Sequence, residues 1–166
     1  MAVSSCLLGE AVRYDGGHKK ADNILSLRDQ GFRLVSICPE MTIGLPSPRD
    51  PIDLVISESG VVTARKRADY SLEYTTPLQK AAQVFVRAHP YICGYIFKSK
   101  SPSCGLTDTQ THDVQGKEIG LGSGIFAQTV QLLAPGVPVI DETQFDDPFH
   151  RQSFIVSARS RSLSHP

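Results

Sequence analysis

Short apolar runs alternate with segments of helical spacing along most of this chain, and no other feature limits its fold as much. Strands interleaved with helices build an open α/β layer structure, because parallel strands are joined by covering crossovers. AVSS at 2–5, FRLVSI at 32–37, YICGYIF at 91–97 and VPVI at 137–140 read as strands. Helices are expected over about 23–30, closed by Gly31, and over 74–89, where Leu78, Ala81, Ala82, Phe85 and Val86 share one face and Pro90 ends the run. Two more fall at 124–133 and 148–157, and LVISESGVVTA at 54–64 reads as two strands turning at Ser59 and Gly60. The expected architecture is an open, mostly parallel sheet with helices on both faces and a small β-hairpin insertion. With 166 residues, 40% of them apolar, one domain spanning 1–166 is expected.

Charge narrows the partners. Lys plus Arg and Asp plus Glu are both 17, so no net field draws the chain to a nucleic-acid polymer or an anionic membrane. Arg65, Lys66 and Arg67 form one local basic cluster with a weak pointer to phosphate. MAVSSCLLGE lacks the basic region and apolar run of a secretory signal, and no stretch approaches the roughly 20 apolar residues of a membrane span. A cytoplasmic location is expected. Four cysteines in a reducing compartment are then buried thiols, nucleophiles or metal ligands in preference to disulfides.

The polar motifs fall at strand ends. SSC at 4–6, CPE at 38–40 and KSKSPSCG at 98–105 each leave the carboxyl end of an expected strand, where open parallel sheets place their ligand crevice. Cys6, Cys38 and Cys104 are therefore candidates to meet at one edge. No CxxC spacing supports a zinc ribbon or ferredoxin-type site, so two readings stay open: three thiols sharing a metal or cluster, or unrelated loop cysteines. Cys104 also reads as a working thiol, since hydroxyl and ammonium side chains surround it. Cys93, inside YICGYIF, reads as core packing.

Glu40 in CPE is a candidate general base, and Ser101 and Ser103 can donate or accept protons. Lys98 can neutralise an anion. VRYDGGHK at 12–19 sets Arg13 and Asp15 ahead of a glycine pair, a turn or a pocket edge. GLGSGIF at 120–126 offers backbone N–H groups ahead of a helix as an anion cradle, but does not match a dinucleotide fingerprint. Histidines 18, 89, 112, 150 and 165 show no zinc pairing, and most are expected in solvent.

VSSCLLGEAVRYDGGHK, ICPE followed by GLPSPRDPI, and FKSKSPSCG resemble, in order and spacing, the bacterial thiouracil desulfidases. The likeness runs over about residues 2–140. It implies a Rossmann-like domain and a 4Fe-4S cluster held by three cysteines, matching Cys6, Cys38 and Cys104, with one iron left open as a Lewis acid. It also implies a non-redox conversion of thiouracil, or a thiouridine nucleotide, to the uracil form plus hydrosulfide. Glu40 would activate water and Ser101 would relay a proton, while Arg13, Asp15, Lys98 and Ser103 would shape the pocket for a small thiolated pyrimidine. Two other readings remain: a thiol transferase or hydrolase using Cys104 as nucleophile, and an iron-sulfur or sulfur carrier without turnover. Oligomeric state is not legible.

Overall fold

A computed structural model describes residues 1–164. The chain opens with β1 (Ala2–Ser4), a single 3-10 turn over Ser5–Leu8, α1 (Asp22–Leu25), β2 (Val35–Ile37) and α2 (Pro39–Thr42). Next come β3 (Ile52–Ile56), β4 (Val62–Lys66), β5 (Asp69–Glu73), α3 (Thr75–Ala88) and β6 (Tyr95–Phe97). The last third holds β7 (Thr109–His112), β8 (Glu118–Gly122), α4 (Ile125–Leu133), β9 (Val139–Asp141), α5 (Glu142–Asp146) and α6 (Pro148–Ser164).

Four of the strands form an all-parallel sheet in the order β2-β1-β6-β9. The central strands β1 and β6 are buried on both sides, and alternate residues serve opposite layers. Val3, Ile96 and Ile140 pack with Ile24, Phe145, Phe154 and Ile155, the layer of α1, α5 and α6. Ala2, Tyr95 and Phe97 pack with Ala82, Phe85, Phe126 and Val130, the layer of α3 and α4. Cys93 is buried in the first of these layers. Helices thus cover both faces. Because the strands are parallel, their carboxyl ends at Ser4, Ile37, Phe97 and Asp141 share one edge, and this edge carries the site.

The expected insertion is larger than a hairpin. β3 and β4 pair antiparallel with Gly60 at a positive φ of 80° in their turn, but β5, β7 and β8 extend them to a five-stranded sheet, β5-β4-β3-β7-β8. Ile52, Leu54 and Ala64 pack on Leu78 of α3 and Ile125 of α4, fixing this sheet to the main layer. The first helix is short, and its continuation to Gly31 is a series of turns. The basic cluster is neutralised in place: Arg65 pairs with Glu73, Lys66 with Asp50 and Arg67 with Asp53. No helix among the described residues is long and apolar enough to cross a membrane.

On the far side of this second sheet Asp53 is buried, takes Arg67 Nη2 at 2.7 Å and accepts from the Tyr70 hydroxyl at 3.0 Å. Burial pushes its carboxyl up, but the Arg67 and Tyr70 hydrogen bonds outweigh that and hold it below the ordinary aspartate value. A lowered carboxylate stabilises the fold above its unfolded pKa, and that contribution is lost as pH falls through the folded value. Asp53→Asn should therefore be less stable than the wild type at neutral pH. The gap in urea midpoints should narrow as the pH drops below about 4. His112 is also buried here, with its Nδ1 4.0 Å from Asp53 Oδ1, because β7 turns it to the same face, whereas His18 and His150 are exposed; His165 lies outside the described residues.

Candidate active site

The carboxyl edge of the parallel sheet frames a cavity of about 310 Å³, near the lower end of the range of small-molecule sites. Cys6 in the 3-10 turn after β1, Cys38 just before α2, and Cys104 in the loop after β6 all line it. Cys6 and Cys104 are buried and Cys38 is half-buried. The structure brings together the three thiols that 32 and 66 residues separate in the chain.

Two glycines seat the Cys104 loop. The N–H of Gly124 donates to the Gly105 carbonyl at 2.8 Å, and the first N–H groups of α4, from Ile125 and Ala127, donate to the carbonyls of Pro102 and Ser103 at 3.0 Å. These amides are spent on the loop, so GLGSGIF is a dock for the cysteine loop and not a free anion cradle. A Cβ at Gly124 would stand 2.5 Å from the Ser103 carbonyl carbon and 2.7 Å from the Cys104 nitrogen, and one at Gly105 would collide with the Thr109 hydroxyl. Gly124→Ala should cost about 1–3 kcal/mol by overpacking and displace Cys104. The check is a lowered urea midpoint together with weakened iron retention after anaerobic reconstitution. Within the loop, Lys100 has a left-handed φ of 56°, and its N–H is held by the Asp108 carboxylate at 3.0 Å.

Glu40 is 8% exposed, and both of its oxygens are engaged. Arg49 Nε donates to Oε2 at 2.7 Å, and the Ser103 hydroxyl donates to Oε1 at 2.9 Å. Arg49 Nη1 also donates to the Val12 and Pro46 carbonyls, both at 2.9 Å, so one guanidinium ties the segments of Val12 and Pro46 to the carboxylate. Ser101 lines the cavity too. Its Oγ accepts the N–H groups of Ser103 at 3.3 Å and Cys104 at 3.1 Å, which leaves the hydroxyl proton available. Arg13 and Lys98 stand on the wall. Asp15 does not: it is exposed, accepts the Gly17 N–H at 3.0 Å and pairs with Arg13 at 3.4 Å.

Arg49 and Glu142 are the functional candidates that reading the chain missed. Arg49 sits in GLPSPRDPI, a stretch without periodicity, and only the buried acid of CPE calls for a cation there. Glu142 carries no motif at all.

Burial pushes the Cys6 thiol up to about 11, with the Arg13 guanidinium opposing and Cys38 adding to the rise. Cys38 and Cys104 are raised for the same first reason, and Cys104 is raised further by Cys38, Cys6 and Glu40. A buried thiol of raised pKa is a poor nucleophile, which weighs against a lone Cys104 as the working group. Three thiols that disfavour one another's ionisation in a low-dielectric wall suit a cationic group, whose charge makes a coordinating thiol a thiolate. Among the described residues no three His, Cys, Asp or Glu groups stand where they hold a single metal ion. All three thiols line one cavity, and soft sulfur donors of this kind fit an iron-sulfur group.

A family model described as 2-thiouracil desulfurase matches residues 1–142. The chain is 33% identical over 150 residues to the uncharacterized protein YbbK of Bacillus subtilis (strain 168), covering 87% of this chain and 97% of that protein. A solved structure described as the 4Fe-4S-dependent thiouracil desulfidase TudS is similar with a TM-score of 0.70, covering 94% of this chain and 97% of that one at 26% identity.

Proposed function

Since the chain belongs to the 2-thiouracil desulfurase family, we propose that it removes sulfur from a thiolated uracil, free or as a nucleotide, by hydrolysis at a 4Fe-4S cluster held by Cys6, Cys38 and Cys104. The observation that carries this reading is the convergence of three thiols on one cavity whose wall also presents the Glu40 carboxylate. When bound, the cluster supplies a Lewis-acidic iron free of a fourth protein ligand, able to polarise the carbon–sulfur bond.

The protein's own groups supply the rest. Glu40, anchored through Oε2 by Arg49, takes a proton from the attacking water on its cavity side. Ser103 keeps the other oxygen in place, and Ser101, with its hydroxyl proton uncommitted, passes a proton to the departing sulfur. Arg13 and Lys98 set the charge of the wall, and Asp15 acts on the pocket through Arg13. Water adds its oxygen to carbon, and hydrosulfide leaves. Carbon exchanges sulfur for oxygen at one oxidation state, so no external electron donor is needed. The partner is a small thiolated pyrimidine, and a reducing cytoplasm would keep the three thiols ready for iron.

Iron and acid-labile sulfide content, measured on protein reconstituted without oxygen, test the reading together with turnover of 2-thiouracil in the absence of reductant. About four irons and four sulfides per chain are expected, with uracil and hydrosulfide released in equal amounts. Uptake of no iron would sink the cluster, and a strict requirement for a reductant would sink the hydrolytic chemistry.

A further inference from the structure

All four strands of the parallel sheet deliver a residue to the same edge, and the fourth, β9, delivers Glu142. Its carboxylate is largely buried, with a side-chain exposure of 16%. Oε2 accepts the N–H of Ser99 at 2.7 Å, and Oε1 accepts the Ser99 hydroxyl at 2.6 Å and the Lys98 ammonium. Lys98 Nζ also donates to the Ser99 carbonyl at 3.1 Å and to Ser99 Oγ at 2.8 Å, so its three N–H groups are all committed. A first-turn acid at a helix start is ordinarily explained by capping. Here Asp141 already caps α5 in a reciprocal box with Gln144, so Glu142 is released from that task.

Resting on the functional reading above, we infer that Glu142 is a positioning residue: it locks Lys98 and Ser99 into the cavity wall and balances the Lys98 charge beside the Cys6 ligand. Lys98 and Ser99 line the cavity with Cys6, whereas Glu142 stands behind them. The ammonium and the carboxylate form one ion pair in this wall, so removing either leaves the other's charge uncompensated beside Cys6. A carboxylate that ties the backbone and the hydroxyl of Ser99 and the tip of Lys98 also fixes the start of the loop that carries Ser101 and Cys104. Groups around a cluster tune it through charge and orientation without touching iron.

The test compares reconstituted wild type, Glu142→Gln, Lys98→Met and the double variant by iron content, by cluster reduction potential from an anaerobic absorption titration, and by kcat/KM on 2-thiouracil. Glu142→Gln should keep its iron, shift the potential positive and lose at least about tenfold in kcat/KM. Lys98→Met should shift the potential the opposite way, and the double variant should return it near the wild type, with no greater loss in kcat/KM than Glu142→Gln alone. A purely structural glutamate would lower thermal stability and leave the potential alone. Glu142→Gln with unmoved potential and kcat/KM overturns the inference, as does a same-sign shift in Lys98→Met, which stands in if Glu142→Gln does not fold. Wild type that takes up no iron or leaves thiouracil intact overturns the functional reading instead.

Discussion

Glu40→Gln should keep its cluster and lose about 10²–10⁴-fold in kcat, the range that a positioned general base contributes. That loss corresponds to about 2.7–5.5 kcal/mol of transition-state stabilisation. The substitution is nearly isosteric, and both neighbours can adjust to it. The amide oxygen can accept from Arg49, while the amide N–H can donate to Ser103 Oγ, which today is the donor. What disappears is the capacity to take a proton from water. Cys104→Ala is the matching control, since it removes a proposed ligand and should lose iron and turnover together. A Glu40→Gln enzyme working at the wild-type rate would remove Glu40 as the general base. Full iron content in Cys104→Ala would remove Cys104 from the ligand set.

The main sheet was legible because its central strands are buried on both faces and therefore read as apolar runs, YICGYIF above all. The meeting of Cys6, Cys38 and Cys104 followed from topology alone: residues just past parallel strands share an edge. The second sheet was half hidden. β5 reads DYSLE, β7 TQTH and β8 EIGLG, polar or glycine-containing segments whose pairing, β5 with β4, β7 with β3 and β8 with β7, supplies a stability that their own composition does not announce. Chemistry between side chains was the least legible. Nothing in KSKSPSCG says that Ser103, and not Ser101, bonds to Glu40, since that choice depends on how Gly105 and Gly124 let two backbones approach. Arg49 and Glu142 escaped for a related reason: their partners lie 9 and 44 residues away along the chain, and neither spacing corresponds to a helix or strand period.

Arg49→Met should destabilise the protein by about 3–5 kcal/mol, the cost of leaving one member of a buried ion pair without its partner. The Arg49 side chain is 6% exposed and the Glu40 side chain 11%, so water can do little for the carboxylate once Arg49 is gone. Two further acceptors, the Val12 and Pro46 carbonyls, lose the same donor. Against a total stability of roughly 5–15 kcal/mol, such a loss should move the urea midpoint far down with little change in slope. Arg49→Lys should recover only part of it, because an ammonium keeps the charge but not the fork that reaches the carboxylate and both carbonyls at once. The informative variant is the double one, Glu40→Leu with Arg49→Met. Replacing both members of a buried pair by apolar side chains is often neutral or stabilising, so this chain should regain most of the stability lost in Arg49→Met while turning over no thiouracil. Stability recovered without activity would mean that the pair is kept for the carboxylate it presents to the cavity. A double variant as unstable as Arg49→Met would mean instead that the guanidinium's bonds to Val12 and Pro46 hold this edge of the sheet, with Glu40 a secondary beneficiary.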